Sequence, residues 1–325
     1  MSNNLTTTPL VSVIVNCLNG ERYLKKSLDS IYKQTYENFE IIFWNNGSTD
    51  RSKLIASEYE YKIRLYSTEE TVPLGMARNR AIRKAKGSYI AFLDVDDWWT
   101  PRKLEKQINR FNNKDVGLLY CDSTIIENNL KYNHFSLLSP FMGRVGCRLL
   151  EANFMTTSSI VYRADVLKSL PVIFRDELSL MVDYELSVRV SFNCEIDYVN
   201  EPLAVILKHK RSYTNKNKKE IIKENAQVLK YFYNEKLHVS CPNEIHVYKT
   251  NCIIREASML LDSGDFDNGL KNLQKVKDFS KKYNVLYIIL SVLPSIKIYR
   301  MLKIIWIFLL KIKSMFKQNI KIHSA

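Results

Sequence analysis

The chain opens with a repeating alternation of two periods. Val11-Ser12-Val13-Ile14-Val15 is a short, β-branched run stopped by Asn16 and by Asn19-Gly20, and it reads as a buried strand. From Glu21 the apolar positions move to Tyr23, Leu24, Leu28, Ile31 and Tyr32, one face of a helix. Phe39 to Trp44 is the next strand, halted by Asn45-Asn46-Gly47, with Ser48 or Asp50 placed to cap a helix through Leu54 and Ile55. Ile63–Tyr66, Ser88–Leu93 and Val116–Tyr120 continue the strand series. A basic helix over Met76–Lys86 and another opened by Thr100-Pro101 separate them. Strands spaced by helices of this length need crossover connections. The pattern therefore predicts an α/β fold with a mostly parallel, Rossmann-like central sheet flanked by helices.

Past Thr124 the pattern loosens into a hairpin and loops as far as Ala152. A strand over Ser158–Tyr162, a short helix over Ala164–Leu170, a helix over Tyr184–Val190 and an extended stretch from Ile196 to Leu207 follow. Lys208 to Lys219 carries six basic residues and no acidic one, and reads as a mobile loop. Glu220 to Lys282 is helical in spacing, with a turn at Gly264-Asp265. The expected division is an α/β domain over 1–214, with halves at about 9–122 and 123–214. A helical extension over 215–282 and a tail over 283–325 follow.

Charge sharpens the reading of the tail. The chain has 325 residues and a net charge of +14, and from Tyr283 to Ala325 it has no Asp or Glu. That stretch holds Lys297, Arg300, Lys303, Lys311, Lys313, Lys317 and Lys321. Half of the excess sits there, which argues against a uniformly basic nucleic-acid binder. The apolar stretches Tyr283–Ile296 and Ile304–Leu310 fall short of the roughly 20 residues that span a bilayer. A basic, aliphatic, acid-free helix fits the surface of an anionic membrane. Six scattered cysteines without a C-x-x-C pair, and an N-terminus without a signal-peptide pattern, predict reduced thiols. The expected location is cytoplasmic, peripheral to the inner face of the membrane.

In an open parallel sheet, ligands sit beyond the carboxyl ends of the strands. Asn16 and Asn19 follow the first strand; Asn45, Asn46 and Asp50 follow the second; Asp94, Asp96 and Asp97 follow the fourth. Three carboxylates within four residues repel one another unless a cation joins them, and a divalent ion shared with phosphate oxygens meets that need. An acidic loop that merely precedes a helix is the alternative. No G-x-x-x-x-G-K-[ST] or G-x-G-x-x-G is present, which excludes P-loop and dinucleotide-binding readings.

These segments, in their order, resemble family 2 glycosyltransferases with the GT-A fold. The resemblance runs from Val11–Val15 with Asn19-Gly20 and Tyr23-Leu24, through Gln34-Thr35-Tyr36, Asn46-Gly47-Ser48-Thr49-Asp50 and Ala77-Arg78-Asn79, to Gly87–Asp97, and covers roughly residues 9 to 214. It implies an inverting transferase that moves a sugar from a nucleoside diphosphate sugar to a hydroxyl of a saccharide or lipid-linked acceptor, with Mn2+ or Mg2+ as cofactor. On the matching positions, Asp94 and Asp96 contact the donor, Asp96 also its ribose, and Asp96 and Asp97 hold the metal, with His209 able to reach it. Asn16 and Asn19 border the nucleotide, Arg78 the diphosphate. Val182-Asp183-Tyr184-Glu185-Leu186 matches the acceptor-side segment and makes Asp183 the base. The chain departs from the family at Asn45-Asn46, where aspartates usually receive uracil, and at Val182, where a carboxylate is usual. The donor base is thereby left open, and a GT-A protein that binds nucleotide sugars without turnover is the alternative reading.

Overall fold

The computed structural model describes residues 8–302 except 129, 280, 293, 294 and 300. The chain falls into two compact units, one of residues up to 149 together with 153–216, the other of 150–152 with the residues from 217 onward.

The first unit is built on a nine-stranded sheet. Its strands are β1 (Val11–Cys17), β2 (Phe39–Asn46), β3 (Ile63–Thr68), β4 (Tyr89–Phe92), β5 (Trp98–Trp99), β6 (Val116–Glu127), β7 (Leu130–Asn133), β8 (Val161–Arg163) and β9 (Glu195–Lys208). They lie in the order β3-β2-β1-β4-β8-β6-β9-β5, with β7 hairpinned onto β6. β3, β2, β1 and β4 pair in parallel, and β8 runs antiparallel to both β4 and β6. β6 pairs in parallel with β9, so the three-residue β8 is the one reversed strand between β3 and β9. Helices α1 (Glu21–Tyr32), α2 (Ser52–Ser57), α3 (Leu74–Ile82), α4 (Lys103–Ile108), α5 (Gly146–Glu151), α6 (Ala164–Lys168) and α7 (Val182–Asn193) connect the strands, and α8 (Tyr213–Lys216) follows β9. This is the α/β architecture expected from the alternating periods, and the one that the resemblance implies.

Val11, Val13 and Val15 of β1 are 0% exposed and Ile14 is 1% exposed, because helices cover both faces of the strand. Leu24, Leu28 and Ile31 supply the inward face of α1 in the same core as Ile41, Phe43, Ala91 and Val161. Four local expectations differ from the structure. β6 continues seven residues past Tyr120, since its polar Asp122 finds backbone partners at Ser123 and Phe135. The strand expected at Ser158 begins at Val161, after a 3-10 turn over Thr157–Ser159 that Ser159 Oγ closes on the Thr156 carbonyl at 2.7 Å. Thr100 caps nothing: its hydroxyl is buried without a partner and α4 starts at Lys103. Finally, much of the expected loop at 208–219 is helical, in α8 and the start of the next helix.

The second unit is helical: α9 (Lys218–Asn234), α10 (Leu237–Ser240), α11 (Pro242–Ser263), α12 (Phe266–Val276) and α13 (Lys281–Val292). Gly264, at φ 88°, ends α11 in a left-handed conformation, and the Asp265 side chain caps α12 by accepting from Asn268 N–H. Leu290 and Tyr299 are buried with Ala257, Leu261 and Leu273. The start of the expected tail therefore contributes to a helical core, while Val285, Ile288 and Val292 stay exposed along one face of α13. The tail's further residues, 303–325, lie outside the described residues. Among the described residues no helix is long and apolar enough to cross a membrane.

Candidate active site

β1 and β4 pair with Val11 opposite Tyr89 and Ile14 opposite Phe92, so the residues just beyond both strands emerge at one sheet edge. A cavity of about 650 Å³ opens there, lined by Asn16, Asn46, Arg78, Asp94, Asp96, Asp183 and His209 among others. Its size is that of a ligand cleft.

The rim is held by two interlocked loops. Asn19, at φ 54°, donates its N–H to Ser48 Oγ at 3.0 Å and accepts at Oδ1 from Thr49 N–H at 2.8 Å. Gly20 N–H bonds Ser52 Oγ at 2.9 Å, and Glu21 N–H bonds Asp50 Oδ2 at 2.9 Å. Asp50 serves both helices, since its Oδ1 also accepts from Ser52 N–H at the start of α2 at 3.0 Å, as expected of a cap there. Ser48 serves the loop before α1 instead, and the Gly20 and Glu21 amides are taken. Gly47, at φ +73°, makes this turn possible, because a Cβ there would lie 2.8 Å from Thr71 N.

Asp96 and His209 meet across the cavity wall, with Nε2 and Oδ2 2.9 Å apart. Tyr23 packs its ring on His209 at 4.7 Å, and Nδ1 of that imidazole is buried without a partner. Asp97 points elsewhere. Its Oδ2 accepts from Ser158 Oγ at 2.6 Å and its Oδ1 from Leu207 N–H at 3.1 Å, and the residue is 5% exposed. Burial, with Asp94 and Asp96 nearby, raises its pKa well above the usual carboxylate range. Burial in the cleft, joined by the charges of Asp183 and Asp96, also pushes Asp94 up to about 6 against the pull of Arg78. The negative charge gathered here suits a cation. Among the carboxylates and imidazole that line the cavity, Asp96 and His209 bring one oxygen and one nitrogen within 2.9 Å of each other. A Mn2+ or Mg2+ ion held there would need its remaining ligands from phosphate oxygens and water, the usual arrangement for such ions at nucleotide sites.

Arg78 is 2% exposed and lies between the rings of Phe92 and Phe174, its guanidinium 5.3 and 5.6 Å from their centres. One NH2 group donates to Asp94 Oδ1 at 3.0 Å and the other to Asp183 Oδ1. Thr157 Oγ1 donates to the second oxygen, Asp183 Oδ2, at 2.9 Å. The neighbours of Arg78 explain this placement. Asn79 pairs its amide with the Phe174 peptide in both directions, at 2.8 and 3.0 Å, and Gly75 N–H bonds the Leu178 carbonyl at 2.8 Å. Helix α3 is thereby zipped to the segment that leads into α7, which carries Asp183. Glu185 points away from the cavity, fully buried and bonded to Arg175 and Arg189.

The structure brings Asn16, Asn19, Asn46, Arg78, Asp94, Asp96, Asp183 and His209 to one cavity and leaves Asn45 and Asp97 off its lining. Asn45 Oδ1 accepts from Ser48 N–H at 3.2 Å and serves the turn. Asn46 spends its amide on the Val72 peptide, donating at 2.7 Å and accepting at 3.2 Å. Asn16 has both side-chain polar atoms buried without a protein partner. Sequence reasoning missed Tyr23, Thr157, Ser179 and Arg211 on the lining. The basic run after Lys208 signalled Arg211; nothing local singled out Thr157.

The profile of glycosyl transferase family 2 matches residues 12–170. An uncharacterized glycosyltransferase of Rickettsia typhi is 42% identical over 38% of this chain and 39% of its own length. WfgD of Escherichia coli, a UDP-Glc:alpha-D-GlcNAc-diphosphoundecaprenol beta-1,3-glucosyltransferase, is 36% identical over 37% of this chain and 48% of its length. The matched part spans less than half the length of these curated relatives. Among solved structures, S. aureus TarS 1-349 in complex with UDP-GlcNAc superposes with a TM-score of 0.63 at 18% identity, covering 83% of this chain and 80% of that one. A mannosyltransferase of Pyrobaculum calidifontis in complex with GDP-Man and Mn2+ gives 0.60 at 15% identity, over 96% and 88%. The profile match and the relatives, joined to a fold that brings Asp94 and Asp96 beyond β4 and Asp183 on α7 to a common cavity, show that residues 12–170 are a glycosyl transferase family 2 domain.

Proposed function

We propose that this chain is an inverting, metal-dependent glycosyltransferase that moves a hexose-type sugar from a nucleoside diphosphate to a hydroxyl of a saccharide or lipid-linked acceptor. Its place would be in cell-surface polysaccharide or glycolipid assembly. The observation that carries the reading is that Asp183 and the Asp96–His209 pair line the same cavity. A carboxylate for the acceptor and a cation site for the diphosphate thus share one space.

Asn16 has a free amide donor and acceptor for the edge of a base. Asp96 and His209 would hold Mn2+ or Mg2+, which supplies positive charge to the departing diphosphate. Asp183 accepts the proton of the attacking hydroxyl, and attack opposite the diphosphate inverts the anomeric carbon. Arg78 and Thr157 fix the rotamer of that carboxylate from two sides. Support for the donor class comes from neighbours solved with UDP-GlcNAc and with GDP-Man and Mn2+. Support for a lipid-linked acceptor comes from the name of WfgD. The exposed apolar face of α13 and the basic residues from Lys297 onward support attachment to an anionic membrane surface.

A thermal-shift panel of nucleoside diphosphates with and without manganese tests the donor half. One diphosphate should stabilise the protein, and more so with the ion; no shift from any of them sinks the reading. Asp183→Asn tests the acceptor half. It should abolish transfer and leave donor affinity within a few-fold, and full activity would remove Asp183 from its role.

A further inference from the structure

Between Asn128 and Leu150 the chain has no acidic residue, while Lys131, Arg144 and Arg148 are basic. Inside this stretch, residues 134–143 form a loop pinned at both ends to one side chain, Tyr120. Phe135 packs its ring on Tyr120 at 5.7 Å and donates its N–H to Asp122 Oδ1 at 2.9 Å. Phe141 accepts from the Tyr120 hydroxyl and donates to it, both at 2.8 Å, and Gly143 bridges to Ile196. With both phenylalanines turned inward, the loop presents Leu137 and Met142 outward, 48% and 63% exposed. An uncharged tip of Ser-Leu-Leu-Ser-Pro-Phe-Met is the reverse of the usual polar surface loop. Rigid anchoring means that these side chains cannot fold back to hide.

Charge selects the occupant. Arg148 lies over the Phe141 ring at 5.0 Å. Leu137 and Met142 belong to a stretch with three cations and no carboxylate, and the nearby Glu127 is paired with Lys208. Such a surface complements an anionic bilayer, where the apolar groups enter the headgroup layer and the cations meet the phosphates. The loop's position gives it a use. Three residues beyond Tyr120 on β6, Ser123 shares a hydrogen bond with Thr156 at 2.8 Å, and the adjacent Thr157 holds Asp183. The loop and the carboxylate are thus tied to the same short stretch of the first unit.

We infer that residues 136–142 are an interfacial loop that enters an anionic lipid surface and seats the Asp183 side of the cavity on the membrane. Its use in presenting a lipid-linked hydroxyl rests on the proposed function; its binding to lipid does not. The test uses the full chain and vesicles of phosphatidylcholine with or without phosphatidylglycerol. The emission of Met142→Trp, less that of the parent, should shift to the blue with the anionic vesicles alone, which reports on this loop whatever the tail does. Leu137→Asn combined with Met142→Asn should lower vesicle partition about fivefold or more, with the melting temperature and nucleoside diphosphate binding unchanged. Unaltered partition together with no blue shift overturns the inference. So does a parent dimer on size exclusion that the double variant abolishes, which would assign the surface to a second copy. A parent that binds no nucleoside diphosphate but still shows the blue shift removes the functional reading and leaves the loop standing.

Discussion

Arg78 and Asp183, 105 residues apart in the chain, meet in a salt bridge that lines the cavity. The same guanidinium holds Asp94, at the end of β4. One cation therefore ties the donor-side strand to the helix that bears the proposed base. Its burial between Phe92 and Phe174 leaves the two carboxylates as its charged partners.

Replacing that fork tests it. In Arg78→Lys a single ammonium cannot reach both carboxylates in the bidentate plane, so Asp183 loses its fixed rotamer. Transfer should fall roughly a hundredfold, with nucleotide affinity far less affected. Arg78→Met removes the cation altogether and leaves Asp94 and Asp183 facing each other. With their side chains 42% and 24% exposed to the solvent of the cavity, this should cost about 1–3 kcal/mol in a denaturant melt. A lysine variant with parental turnover would deny Arg78 a positioning role.

Most of the framework is legible from the periods alone. The β-branched run at Val11–Val15 and the switch at Glu21 to helical spacing give β1 and α1 without tertiary information. The carboxylate cluster is visible in the same way, because strand ends are marked by their polar stops. What is not legible is which way each carboxylate turns. Asp96 and Asp97 are adjacent in sequence, yet one faces His209 and the other Ser158 and Leu207, partners 61 to 113 positions away. Ser48 and Asp50 likewise read as local caps of α2. Asp50 does meet Ser52 N–H locally, but its second oxygen and the Ser48 hydroxyl go to Glu21 and Asn19, about thirty residues back. The Arg78–Asp183 bridge depends on the pairing of α3 with residues 174–179, which no local pattern encodes.

That pairing offers a second test. A Cβ on Gly75 would stand 2.0 Å from the Arg175 carbonyl oxygen, a backbone atom that cannot swing aside. Gly75→Ala must push the segment preceding α7 away from α3. Stability should drop by about 1–3 kcal/mol, and kcat should fall while the affinity for nucleoside diphosphate holds. A variant that melts and turns over like the parent would mean that the contact between α3 and this segment is slack.

The divided acidic cluster gives a third. His209→Ala deletes a donor atom that faces the cavity, and manganese affinity in the presence of a nucleoside diphosphate should weaken roughly tenfold or more. In Asp97→Asn the amide oxygen still accepts from Leu207 N–H and the amide group still meets Ser158 Oγ. Manganese affinity there should stay within a few-fold. Calorimetric titration of both variants decides the matter, and the opposite order would move the ion to Asp97.

Lys103 is a buried cation outside the cavity. It is 0% exposed, its Nζ has no hydrogen-bond partner, and it sits 4.0 Å over the Trp99 ring. Burial pushes its pKa down to about 8, below the roughly 10.4 of an unfolded lysine. Because the folded value is the lower one, the folded state resists the charge. The resulting penalty is complete below about pH 8, shrinks as pH rises, and is gone above about pH 10.4. At neutral pH the difference in pKa corresponds to about 3 kcal/mol. Lys103→Met keeps most of the apolar stem and removes the charge, so it should raise stability at pH 7 by about 2–3 kcal/mol. The advantage should shrink steadily between pH 8 and pH 10 as the parent sheds its proton. Urea melts of both proteins across that range read the trend directly. An advantage that stays flat with pH would mean that Lys103 keeps its charge at no cost, and that the Trp99 ring compensates it in full.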